Sequence, residues 1–188
     1  MSLRFLPNLL CVLRILLVYP VAHGILQGRH AEVMALFGIA ALSDGLDGFL
    51  AKRFGWHTEL GKVLDPVADK LLLVTVFICL SIAGLAPWWL AALVLLRDLV
   101  IFFGALTFKW LFGPLHGAPT PASKLNTVTQ IAFCLGVVAA AGFGLPEAAV
   151  ITALGAMVMV TTAVSGIDYI LIYSRRAAVM ARQRAVAG

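Results

Sequence analysis

The chain consists of long apolar stretches separated by short breaks. A helix needs roughly 20 mostly apolar residues to cross the hydrocarbon core of a bilayer, and six stretches approach or exceed this length. They run over residues 9–27, 31–51, 63–84, 86–112, 123–143 and 147–173. The breaks between them are rich in glycine, proline and polar residues, which end helices and form turns. The pattern predicts an all-α polytopic membrane protein with six transmembrane helices.

The composition supports this prediction. Of the 188 residues, 62% are hydrophobic and 12% are charged, whereas a soluble domain is about half apolar and about a quarter charged. Because the apolar residues are spread over the whole chain, we expect residues 1–188 to form a single membrane domain. Before the first span, Pro7 and the scattered charge of residues 4–8 predict a short interfacial segment that bends into the first helix.

The distribution of basic residues predicts an orientation. Lysine and arginine concentrate on cytoplasmic loops. They lie in the second break, at the edges of the fourth break and in the C-terminal tail, namely Lys52, Arg53, Lys62, Lys109, Lys124, Arg175, Arg176, Arg182 and Arg184. Both termini are therefore expected in the cytoplasm, with the bacterial inner membrane as the location. Anionic lipid headgroups account for the net charge of +5, so no nucleic-acid partner is predicted.

Four carboxylates fall inside or at the edges of apolar helices: Asp44, Asp47, Asp65 and Asp69. A charge at the bilayer centre costs about 2.5–3.5 kcal/mol, so we place the four near the cytoplasmic interface. Each pair occupies one helix face at a spacing of three or four residues, and a single loop joins the two helices. Like charges that converge in this way need a cation, and carboxylate oxygens suit Mg²⁺, Mn²⁺ or Ca²⁺.

Two other interpretations of the aspartates remain open. They could form polar contacts between helices, or serve an ion-coupled transporter, although the four charges cluster at one side of the membrane and no inverted repeat is present. Gly48 and Gly61 lie beside the aspartates, and small residues let a ligand approach the backbone. Lys52 and Arg53 follow at once and suit a phosphate group.

Residues 44–69 resemble the motif D-x2-D-G-x2-A-R-x8-G-x3-D-x3-D of the CDP-alcohol phosphatidyltransferase family. Every position matches except Lys52, which stands where the family has arginine, and Arg53 is next to it. Residues 7–14 are similar to the family's opening P-N-x-L-x-x-x-R, and six helices are the family's plan as well.

The resemblance implies transfer of a phosphatidyl group from CDP-diacylglycerol to an alcohol, with release of CMP, by a membrane homodimer. It further implies that the four aspartates hold a pair of Mg²⁺ or Mn²⁺ ions, with Asp69 as general base on the acceptor hydroxyl. The implied nucleotide pocket consists of Gly48, Ala51, Lys52 and Gly61, with Arg53 able to share the role of Lys52.

The acceptor is predicted from the fourth and fifth helices. Family members that use glycerol 3-phosphate tend to carry further arginines after an Arg-acidic pair, but here Arg97-Asp98 is followed by apolar residues and one glycine over 99–106. Residues 123–130 are similar to CMP-forming cardiolipin synthases, whose acceptor is phosphatidylglycerol. We therefore expect Arg97, Lys124 and Asn126 to contact the acceptor. For the acceptor, glycerol 3-phosphate remains the alternative, which would make the chain similar to a phosphatidylglycerophosphate synthase. For Arg97-Asp98, a simple ion pair inside the helix bundle remains the alternative to a role in the active site.

Overall fold

The computed structural model of the chain describes residues 6–40, 59–112 and 120–187, with side chains described over most of 12–40, 68–111 and 120–176. In these ranges every regular element is an α-helix, which confirms the all-α prediction for them. The helices are α1 Leu6–Leu26, α2 with the described part His30–Ala40, α3 Glu59–Ile82, α4 Trp88–Phe112, α5 Pro121–Phe143 and α6 Ala148–Ala187.

Three helices end at glycines that the sequence places in predicted breaks. Gly28, Gly84 and Gly144 follow α1, α3 and α5 with φ angles of 71°, 72° and 73°. Glycine adopts this left-handed conformation at little steric cost, so a glycine just past a helix stops it and turns the chain. These breaks lie where the polar and turn-forming residues predict them.

Two helix ends differ from the prediction. Helix α1 begins at Leu6 with Pro7 in its first turn, where the missing proline N–H would have had no partner. Residues 6–8 therefore belong to α1, and the rest of the predicted interfacial segment lies outside the described residues. Helix α6 continues to Ala187 instead of ending near 173, because alanine, arginine and methionine favour helix even where the chain is no longer apolar.

Among the helices of the described ranges, three are long and apolar enough to cross a membrane. Their spans are Trp88–Phe108, Pro121–Phe143 and Ala148–Arg176. Shorter apolar helical segments are Val12–Leu26, His30–Ala40 and Lys70–Ile82. Large apolar side chains on α4, including Leu96, Phe102 and Phe103, are exposed, as expected for a surface that contacts lipid. These properties are those of a membrane protein.

The chain forms two compact units. The first contains α1, α2, α3 and residues 133–151, and in it α1 packs against α3. Phe77 of α3 stacks on Phe133 of α5 with ring centroids 5.8 Å apart. The end of α5 lies so close to the start of α2 that a Cβ on Gly142 would come within 2.9 Å of the His30 Cβ. Glycine therefore permits this close approach.

The second unit contains residues 89–112 of α4, residues 121–132 of α5 and residues 152–187 of α6. Its buried positions include apolar side chains such as Leu90, Val94 and Val158. They also include polar residues on all three helices, namely Arg97, Asn126, Thr129, Gln130, Thr162 and Ser165. Because buried polar groups inside membrane helices are costly and mark functional sites, this unit holds a candidate site.

Candidate functional site

The predicted metal and nucleotide residues fall mostly outside what the structure describes. Asp44, Asp47, Gly48, Ala51, Lys52 and Arg53 lie outside the described residues, and for Gly61, Asp65 and Asp69 only the backbone is described. That backbone is regular α-helix from Glu59 onward, so Asp65 and Asp69 stand about one turn apart. Among the side chains that are described, no three His, Cys, Asp or Glu residues group as metal ligands.

The chemistry of the predicted donor set fits a divalent metal. Carboxylate oxygens are the ligands that hard ions such as Mg²⁺ and Mn²⁺ prefer. The helical backbone at Asp65 and Asp69 gives these two residues the spacing that places them on one face. Half of the predicted donor set thus has a backbone arrangement suited to a shared ion.

Arg97 of α4 links the three helices of the second unit. Its side chain is almost fully buried, and its Nη1 donates to Asp98 Oδ1 at 2.7 Å. Its Nη2 donates to Ser123 Oγ of α5 at 2.7 Å and to Ser165 Oγ of α6. The guanidinium lies 5.8 Å from the centroid of the Tyr169 ring, within the range of a cation–π contact. The Arg97–Asp98 ion pair, which the sequence left open as an alternative, is present within a larger network, and contact of Arg97 with the acceptor stays a prediction.

These contacts limit what else Arg97 can bind. A guanidinium has five N–H groups, two of them on Nη2, and here the two serine hydroxyls accept from Nη2. A two-point contact with phosphate uses one Nη2 hydrogen together with one from Nη1 or Nε. Such a contact would displace Ser123 or Ser165. The Nε atom has no hydrogen-bond partner among the described groups, which leaves it for a single-point contact.

The first turn of α5 explains how Ser123 reaches Arg97. Thr120 precedes Pro121, and its hydroxyl accepts a hydrogen bond from the Ser123 backbone N–H at 3.2 Å. A threonine cap followed by proline is a favourable helix start, because proline needs no partner there. The cap fixes the first turn, in which Ser123 faces Arg97 while the side chain of Lys124 is exposed.

Asn126 lies one turn further along α5 and is fully buried. Its Oδ1 accepts a hydrogen bond from the hydroxyl of Thr162 on α6 at 2.8 Å. The Thr161 hydroxyl, also on α6, lies 3.1 Å from the same oxygen and 2.8 Å from the Met157 carbonyl oxygen, and its one hydrogen is shared between these two acceptors. The Thr161 hydroxyl also lies 2.9 Å from that of Thr129 on α5. The carbonyl of Asn126 is thereby held toward α6, and its Nδ2 has no hydrogen-bond partner in the described part of the chain.

The structure thus brings predicted residues together with others that sequence reasoning missed. Arg97 contacts Ser123, which is the neighbour of Lys124 in α5. The α6 residues Ser165 and Thr162 were not predicted as site residues. The signal that could have identified them is that they are polar residues within an apolar span. Their hydrogen-bond partners lie on other helices and cannot be derived from spacing along the chain.

Comparison with known proteins gives a consistent match. A family model described as CDP-alcohol phosphatidyltransferase matches residues 4–179. A Mycobacterium tuberculosis protein named "Probable phosphatidylglycerophosphate synthase" is 31% identical over 179 residues, which cover 88% of this chain and 79% of the relative. The "Cardiolipin synthase (CMP-forming)" of Rattus norvegicus is 29% identical over 180 residues, which cover 87% of this chain and 60% of the relative. The human protein of that name is 28% identical over 180 residues, which again cover 87% of this chain and 60% of the relative.

Proposed function

The chain belongs to the CDP-alcohol phosphatidyltransferase family, and on that premise we propose that it transfers a phosphatidyl group from CDP-diacylglycerol to phosphatidylglycerol. The products would be cardiolipin and CMP. Family membership makes the chain an enzyme of phospholipid synthesis, which decides against the ion-coupled transporter. The observation that carries the choice of acceptor is the hydrogen bonding of Arg97.

The proposed reaction is a displacement at the phosphorus atom that carries the diacylglycerol. The acceptor hydroxyl oxygen forms a bond to this phosphorus, the bond to the bridging diphosphate oxygen breaks, and CMP leaves. Asp69 is the proposed base that takes the hydroxyl proton. Asp44, Asp47, Asp65 and Asp69 would hold two Mg²⁺ or Mn²⁺ ions. When bound, such ions neutralise the charge that develops on the attacking and leaving oxygens.

The hydrogen bonds of Arg97 favour an acceptor whose phosphate needs no bidentate contact with this guanidinium. The free phosphate of glycerol 3-phosphate carries up to two charges and suits bidentate contacts from arginine, whereas Ser123 and Ser165 occupy Nη2 of Arg97. Phosphatidylglycerol carries a single charge in its phosphodiester and is anchored by acyl chains. The helix beyond Arg97 exposes apolar side chains at Leu99, Val100, Phe102, Phe103 and Leu106. Such a surface suits an acceptor that arrives through the bilayer.

Phosphatidylglycerophosphate synthase is the second candidate. It is supported by the Mycobacterium tuberculosis relative that bears this name, at 31% identity. The exposed Lys124 in the first turn of α5 supplies a cation for an acceptor phosphate in either case.

We expect phosphatidylglycerol to be a better acceptor than glycerol 3-phosphate by at least roughly tenfold in kcat/KM, because a lost bidentate phosphate contact is worth about that factor. The measurement is a side-by-side assay of lipid products from labelled CDP-diacylglycerol, with identical metal and detergent. A clear preference for glycerol 3-phosphate would assign the chain to the second candidate and leave the transfer chemistry intact.

Lys52, which lies outside the described residues, is proposed to bind the nucleotide with Gly48, Ala51 and Gly61. Lys52→Arg is expected to keep activity because it restores the family residue. Lys52→Ala is expected to raise the KM for CDP-diacylglycerol by about tenfold, the effect of losing one charge-assisted hydrogen bond. Titration of the donor at saturating acceptor measures this change. An unchanged KM in the alanine variant would shift the role to Arg53, which Arg53→Ala then tests.

For the membrane arrangement we propose six spans in one domain of residues 1–188, with both termini and the active site in the cytoplasm of a bacterial inner membrane. The alternation of basic breaks supports this orientation. Trp88 and Trp89, 60% and 56% exposed at the start of α4, fit the aromatic belt of the opposite interface. Family membership supports a homodimer.

A further inference from the structure

The second unit contains a pair of buried amides that the contacts described above do not satisfy. Gln130 lies on α5 four residues after Asn126, so the two share a helix face. Both side chains are 0% exposed. Within the described ranges, Oε1 and Nε2 of Gln130 and Nδ2 of Asn126 have no hydrogen-bond partner.

Burial of such groups is unfavourable. An amide that loses water without gaining a partner destabilises the folded chain, and the cost persists in a helix that spans a membrane, where leucine or valine would avoid it. Native proteins satisfy most buried polar groups, and an exception calls for an explanation. A ligand that bonds to these atoms is such an explanation.

The donors and acceptors of the pair define the chemistry of this ligand. The free atoms are an acceptor at Gln130 Oε1 and N–H donors at Gln130 Nε2 and Asn126 Nδ2. A phosphate only accepts hydrogen bonds and would be repelled by Oε1, while an ammonium group only donates and would meet the two N–H groups. A hydroxyl group both donates and accepts, so neighbouring hydroxyls of a polyol match the pair.

We propose that Gln130 and the Nδ2 of Asn126 form the subsite for the hydroxyl groups of the acceptor's glycerol headgroup, which makes Gln130 a residue that determines acceptor specificity. This inference rests on the proposed function and adds the acceptor's recognition group. Thr162 orients the Asn126 amide, because its hydroxyl donates to the amide oxygen at 2.8 Å, and this leaves the Nδ2 hydrogens for the ligand.

Gln130→Met is the informative variant, because methionine is of similar length and apolar. It should raise the KM for phosphatidylglycerol about tenfold, the effect of losing one or two neutral hydrogen bonds, and change the KM for CDP-diacylglycerol less than twofold. The matched control is Thr127→Val on the same helix, where the Thr127 hydroxyl donates to the Ser123 carbonyl oxygen within its own helix, at 3.2 Å. If Gln130 bonds only to internal water, Gln130→Met leaves both KM values unchanged and the proposal is overturned.

A second readout does not depend on turnover. The unfolding temperature in detergent micelles is measured with added phosphatidylglycerol and with phosphatidylmethanol, which has the same phosphodiester but no headgroup hydroxyl. Phosphatidylglycerol should raise the wild-type value by about 3 °C more than phosphatidylmethanol does, and Gln130→Met should abolish this difference. Equal shifts by the two lipids in the wild type, or a difference that persists in the variant, overturn the subsite.

The two readouts separate this inference from the proposed function. If no alcohol yields CMP but the hydroxyl-dependent shift is present and Gln130 is required for it, the proposed function fails and the subsite stands. If phosphatidylglycerol is converted to cardiolipin at the same KM by the wild type and Gln130→Met, the function stands and the subsite is wrong.

Discussion

Asp65→Asn and Asp47→Asn are each expected to lower phosphatidyl transfer by at least about a thousandfold, because divalent ions in such sites stabilise the transition state by several kcal/mol. A carboxamide keeps the shape of the side chain but removes the negative charge that holds a cation. Initial rates of CMP release at saturating substrates measure the effect, and the unfolding temperature in detergent verifies that each variant is folded.

The matched control for the aspartate variants is Glu32→Gln, the same loss of charge at an exposed position. Glu32, in the first turn of α2, pairs at 3.0 Å with Arg29, which directly precedes this helix. Exposed pairs contribute at most about 1 kcal/mol to stability. The activity of Glu32→Gln should therefore equal that of the wild type. Turnover near the wild-type rate in either aspartate variant would remove that residue from the ligand set.

Removal of divalent metal is expected to stop CMP release completely and reversibly. The four carboxylates that we propose to share one site would repel one another, and a bound cation would neutralise them. Excess chelator should abolish activity, and added Mg²⁺ or Mn²⁺ should restore it. Chelator saturated with Mg²⁺ beforehand is the control for effects on the detergent or the lipid. Full CMP release in excess free chelator would contradict a metal-dependent reaction.

The helices could be predicted well because their signals are local. Gly28, Gly84 and Gly144 end helices through a conformation that depends on one residue. Apolar runs mark the three long apolar helices of the described ranges directly. The end of α6 could not be placed in this way, since a span is recognised by its apolar residues while the helix continues through basic residues of high helical propensity.

The candidate site could be predicted only where its residues are neighbours in sequence. The Arg97–Asp98 pair is adjacent, and the spacing of Asp65 and Asp69 needs only one helix. The bond from Arg97 to Ser165 spans 68 residues, and the bond from Thr162 to Asn126 spans 36. Periodicity reports neighbours on one helix and not which faces of different helices meet, so these partners required the structure.

The continuity of α6 has a mechanical consequence. A helix of 40 residues is about 60 Å long, about twice the thickness of the hydrocarbon core. The residues from 177 to 187 extend it by about 16 Å beyond the apolar span. In such a rod, a tilt of about 10° displaces one end against the other by about 10 Å. The displacement of a spin label near Ala187 would therefore report small changes in the tilt of α6.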